Sequence, residues 1–221
     1  MDESDPAETP GSDENAGRTA PPNFEFQVAR VLRDGPCTFF QSINEPPDSA
    51  TGWWSMSLIR EAEDGRVSVL RQVSAQYHQA EFPCAEMAGI GYPTGDAADT
   101  RRNKVVVRRF TRAVMDEAGA EVIDKYVDRD VFVSHAPERC ASPAVYDEII
   151  ERRRPRAGKV YHGVDNLVGE GDFVAIFSCF DEGGQFYRAC DLFRLNAGRI
   201  VEHWDVVQEV APYSVADNDD T

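Results

Sequence analysis

Three ionisable side chains near the end of the chain are of the types that move protons: Asp191, His203 and Asp205, in the stretch DLFRLNAGRIVEHWDVVQ at residues 191–208. A carboxylate or imidazole held within hydrogen-bond reach of a substrate can take a proton from carbon or return one to oxygen. Asn196-Ala197-Gly198 reads as a three-residue hairpin loop that ends with glycine in a left-handed conformation and a bulge. Pairing Leu195 with Arg199 then sets Asp191 opposite His203 and diagonal to Asp205, whereas a two-residue shift sets Asp191 directly against Asp205. In both registers Val201, His203, Asp205 and Val207 share one face, with apolar walls around an acid and an imidazole. Ile200, Glu202, Trp204 and Val206 take the other face, suited to packing or to contact with a second copy. A closed pocket would make this a catalyst or a ligand binder; a water-facing sheet would make it an ordinary solvated edge.

The elements that must position these residues fall into two groups. Short β-patterned runs at residues 24–32, 38–43, 53–60 and 67–77 are separated by Asp34-Gly35-Pro36, Pro46-Pro47 and Asp64-Gly65, which is turn chemistry. After a small-residue linker at 91–100, Val105, Val106, Phe110, Val114 and Met115 recur at helical spacing. Residues 120–126 repeat the pattern briefly, and Ser142-Pro143 opens a third helix through Ile150. Four strand-like runs follow, at 160–168, 173–180, 185–195 and 199–210. In the second of them Phe173, Ala175 and Phe177 alternate with Val174 and Ile176, so both faces are apolar and the strand belongs in the middle of a sheet. The expected fold is therefore α+β, a curved antiparallel sheet packed on three helices, with a β-rich N-terminal extension. The expected domains are an acidic disordered tail at 1–23, the β-rich unit at 24–98, the main domain at 99–212 and a second acidic tail at 213–221.

The order helix, short helix, His-bearing strand, helix and antiparallel strands closing on GRIVEHWDVVQ resembles the SnoaL-like polyketide-cyclase family, within the nuclear-transport-factor-2-like superfamily of cone-shaped folds. The resemblance spans about residues 101–210 and is most specific over Asp191–Gln208. It implies that the family's acid/base aspartate falls on Asp205, that the pocket histidine of the cyclases is replaced here by Asp191, and that His203 stands where related members carry histidine. His135, in Phe132-Val133-Ser134-His135, falls near a cavity-lining polar position. Chemistry in such cyclases is an intramolecular aldol condensation of a small apolar carbonyl compound without cofactor. Two carboxylates sharing a dry pocket could divide into an acid and a base. Lyase or isomerase chemistry, non-catalytic ligand binding, and epoxide or ester hydrolysis remain open on the same scaffold. Hydrolysis would need an Asp-Arg-Asp arrangement, and Arg194 has the wrong strand parity to join Asp191 unless a bulge intervenes.

Composition narrows the partners. A formal net charge of −16 over 221 residues argues against nucleic acid and anionic membrane surfaces, both of which need clustered Lys and Arg. Arginine islands at 101–102, 108–109 and 152–154 read as solvated helix faces. With no signal-like N-terminus, no apolar run long enough to cross a bilayer, and five widely spaced cysteines without a CxxC pair, the chain reads as cytoplasmic with free thiols. The histidines lack the short paired spacing of common metal sites, so no metal is expected. Tyr187 is a candidate pocket phenol, or a packing residue. The expected partners are a small-molecule substrate or ligand and a second copy in a homodimer.

Overall fold

A computed structural model describes residues 25–46, 49–78, 91–116, 124–136, 139–140 and 158–211. Turn chemistry cuts the N-terminal region into β1 (Glu25–Asp34), β2 (Cys37–Glu45), β3 (Thr51–Glu61) and β4 (Val67–His78). These strands pair in sequence order as an antiparallel four-stranded meander. Gly35, at φ +60, supplies the left-handed residue of the first tight turn.

Helix α1 (Ala97–Met115) starts inside the stretch expected to be linker, because Asp96 caps it. Its carboxylate accepts from the Ala98 and Asp99 amides, and Asp99 reaches back to the Asp96 amide as a capping box. The buried face of α1 carries Asn103, Val107, Phe110 and Val114, while Val105 is exposed. Among the described residues α1 is the one helix. Residues 124–126, at the end of the second expected helix, form a turn, and the rest of that helix and the whole of the third lie outside the described residues.

The remaining strands are β5 (Val133–Ala136), β6 (Arg139–Cys140), β7 (Lys159–Glu170), β8 (Phe173–Glu182), β9 (Gln185–Asn196) and β10 (Arg199–Val210). They form a six-stranded sheet in the order β6-β5-β10-β9-β8-β7, antiparallel except for β5 beside β10. Residues 173–180 of β8 are all buried, as expected of a strand covered on both faces.

Two cores explain that coverage. On one face Val174, Ile176, Phe193, Leu195 and Ile200 pack with Val107, Phe110 and Val114 of α1. On the other, Phe173, Phe177, Leu192, Trp204 and Val206 pack with Leu32, Phe39, Trp54, Met56 and Val73 of the meander. The six-stranded sheet is thus a middle layer between helix and meander. The chain itself covers the Glu202–Trp204–Val206 face that the sequence offered to a second copy: Trp204 is fully buried, and the Arg30 guanidinium of β1 lies 4.5 Å from its ring centroid. Polar contacts fix the docking. The Ser74 amide donates to Gln208 Oε1 at 3.0 Å, the Arg33 amide to Glu170 Oε2 at 2.7 Å, and Arg71 pairs with Asp165 at 3.2 Å.

Candidate functional site

The final hairpin closes through Ala197 and Gly198, both left-handed at φ 49 and 79, with Asn196 paired to Arg199. The loop is therefore a two-residue turn, not three. Leu195 then faces Ile200, a bulge falls between Ile200 and Glu202, and beyond it Arg194 faces Glu202, Phe193 faces His203 and Asp191 faces Asp205. The bulge produces the shifted one of the two registers. It also places Ile200 with Phe193 and Leu195 in the helix-side core, away from Glu202 and Trp204, and leaves Val201 buried but in neither core cluster.

Asp191, His203 and Asp205 share the helix side of the sheet and are 8%, 1% and 6% exposed. His203 Nε2 lies 2.8 Å from Asp191 Oδ1, a buried carboxylate–imidazole hydrogen bond. One ligating atom from each of the three lies within 4.8 Å of the others. Two carboxylates facing each other across an antiparallel pair are ordinarily unfavourable. Burying them together with an imidazole is an arrangement whose charge must be managed by protons, donors or a cation. Among the described residues this is the cluster whose side chains could share a metal ion.

The other expected site residues are placed differently. Tyr187 has the same strand parity as Asp191 but stands four residues along β9, about 13 Å away at strand rise, stacked on Phe180 with ring centroids 5.1 Å apart. Val207, opposite Ala189, is on the Asp205 face and 36% exposed. His135 is on the wrong face: it stacks on Trp204 at 4.6 Å and approaches Glu202 at 3.7 Å, on the meander side. Alternation along β5 is the reason, since Ser134 is the residue in register with His203. Ser134 is fully buried and stands in register with His203. Its signal was one position away from the histidine, and only the β5–β10 register could reveal it.

Behind the site lies a second polar group. Glu202 accepts from Arg194 and faces His135, while Arg30 donates to Gln41 and lies over Phe173 and Trp204. Burial pulls the Arg30 guanidinium down to about 10, against the pull of Glu202, so it stays charged at neutral pH. Burial pushes the Glu202 carboxyl up, but His135 and Arg194 more than offset it and bring it down to about 2. Arg194 faces this cluster, so the bulge does not bring it to Asp191 and an Asp-Arg-Asp hydrolytic arrangement through Arg194 is absent.

The fold and the buried trio define an α+β protein with an acid–imidazole–acid group on its sheet. No protein-family model matches the chain, and no curated protein is similar to it in sequence. Several solved structures are similar to about half of the chain. One is a candidate ketosteroid isomerase from Kribbella flavida (16% identity, 51% of this chain and 82% of that one, TM-score 0.44). Another is IdmH, a candidate polyketide cyclase from Streptomyces antibioticus (16% identity, 48% and 91%, TM-score 0.40). A third is an NTF2-like protein of unknown function from Mesorhizobium loti (18% identity, 52% and 97%, TM-score 0.44). These likenesses extend over about half of the chain, and the chemistry of the site has to be read from its own residues. No helix among the described residues is long and apolar enough to cross a membrane, and Cys37 and Cys179 are thiols outside any disulfide.

Proposed function

We propose that the chain is a SnoaL-like acid/base enzyme of the aldol-cyclase, lyase or isomerase type, acting without cofactor on a small, largely apolar carbonyl compound. The observation that carries this reading is the burial of Asp191, His203 and Asp205 on one face, with an oxygen or nitrogen of each within 4.8 Å of the others. In this mechanism Asp205 is the group that takes a proton from the carbon next to the carbonyl and returns it. Asp191 fixes the His203 ring by their 2.8 Å hydrogen bond, so that the imidazole presents its other edge to the substrate. Apolar neighbours such as Phe193 and Ile200 keep water from competing for the proton.

The main domain at 99–212 would hold the site, and the meander within 24–98 would serve as its rigid backing. A homodimer would have to form on a surface other than the Trp204 face, which a second copy could reach only by displacing the meander.

The test is a carbonyl-compound screen by thermal shift, followed by turnover of each hit with native protein and Asp205→Asn. The expected result is turnover that falls at least about 100-fold in the variant while hit binding persists, and that survives treatment with a chelator. Stabilisation without turnover by native protein would make the chain a binder. Turnover retained in Asp205→Asn would remove Asp205 from the mechanism, and loss on chelation would put a cation among the three side chains.

A further inference from the structure

Two polar atoms on this face have no hydrogen-bond partner among the described residues, and both are deeply buried: Ser134 Oγ, in a residue 0% exposed, and His203 Nδ1, in a residue 1% exposed. They belong to residues in register on adjacent parallel strands, β5 and β10, so both side chains leave the sheet on the same side. An unsatisfied buried donor or acceptor costs about 1–3 kcal/mol, and two such atoms on residues in register on one face mark a place suited to receive a polar group.

The hydrogen bond on the far edge of the ring specifies which group. Asp191 as a carboxylate can only accept, so His203 Nε2 carries the hydrogen of their 2.8 Å contact. In the neutral imidazole Nδ1 is then a lone pair that needs a donor. Ser134 can itself donate or accept. An oxygen bridging the two must therefore bear a hydrogen, which it gives to Nδ1 while accepting from Ser134. A bare carbonyl or ether oxygen cannot do this.

We propose that Ser134 and the Nδ1 edge of His203 form a two-point clamp for one hydroxyl or enol oxygen of the ligand. The inference rests on reading this face as a ligand site, and it narrows the substrate from a carbonyl compound to a hydroxycarbonyl. Ser134 is the specificity-determining residue of the pair.

The experiment needs no turnover. The chain has four histidines, His78, His135, His162 and His203, so nitrogen-15 labelling of histidine and a His203→Gln spectrum assign the His203 ring. The expected spectrum has Nδ1 unprotonated and Nε2 protonated. Cyclohexanol should shift the Nδ1 signal in a saturable way, and cyclohexanone should leave it in place. In Ser134→Ala, cyclohexanol should bind about tenfold more weakly, the worth of one hydrogen bond, with the other three histidine signals unchanged as proof of folding. A protonated Nδ1, an equal response to cyclohexanone, no response to either probe, or undiminished cyclohexanol binding in Ser134→Ala would each overturn the clamp. Any of these results leaves the role of Asp205 standing, because that role is tested by turnover. Conversely, an inactive but hydroxyl-selective protein would retain the clamp and lose the acid/base reading.

Discussion

Glu202 stands back to back with His203 on β10, and its replacement by glutamine should cost stability at neutral pH but not in strong acid. Its side chain is 16% exposed, paired with Arg194 and 3.7 Å from His135. With burial pushing the carboxyl up and these two partners pulling it down further, it lies at about 2 instead of 4.5. That difference corresponds to about 3 kcal/mol of folding free energy. Residual solvent and the long gap to His135 trim the expected effect to about 2 kcal/mol. The sign follows from the depressed folded value: the contribution is fully present above pH 4.5 and drains away as pH falls from 4.5 towards 2. Denaturant unfolding of native protein and Glu202→Gln across this range should show a gap of about 2 kcal/mol at pH 7 that closes in acid, where the native carboxyl is protonated and resembles the amide. A gap that stays constant with pH would mean that Glu202 acts through shape alone. No gap at neutral pH would mean that its ion pair contributes nothing to holding β10 against β9.

Trp204→Ala should destabilise by about 3–5 kcal/mol, read by calorimetry or denaturant unfolding, because the indole is fully buried and packs with Arg30, Phe173 and His135. A loss under about 1 kcal/mol would show that the meander does not rest on this face. Ala197→Gly should stabilise by about 0.5–1 kcal/mol, since alanine at φ 49 carries a left-handed penalty that glycine lacks, partly offset by glycine's greater freedom when unfolded. A lower unfolding midpoint for this variant would refute the two-residue turn.

Local chemistry was legible in the chain. Turn residues at Asp34-Gly35-Pro36 and Asp64-Gly65 delimit the meander strands to within a few residues, because glycine and proline act on backbone angles where they stand. The two-sided apolar pattern of Phe173–Phe180 announced a covered strand, and the hairpin at 191–208 announced that Asp191, His203 and Asp205 would share a face. Alternation with a period of two makes such statements local. Three things were decided only by tertiary structure. The bulge after Ile200 set Asp191 against Asp205, and sequence allowed either register. The pairing of β5 with β10 turned His135 to the meander and Ser134 to the site, because side-chain direction in a four-residue strand depends on which neighbour it pairs with. Sheet-on-sheet packing closed the Trp204 face within one chain, since apolar area is buried by whichever surface is held nearest, and residues 25–78 are tethered to that face. The proton-moving residue types were therefore written in the sequence, while their partners, their burial and the extra hydroxyl beside them came from contacts between strands far apart along it.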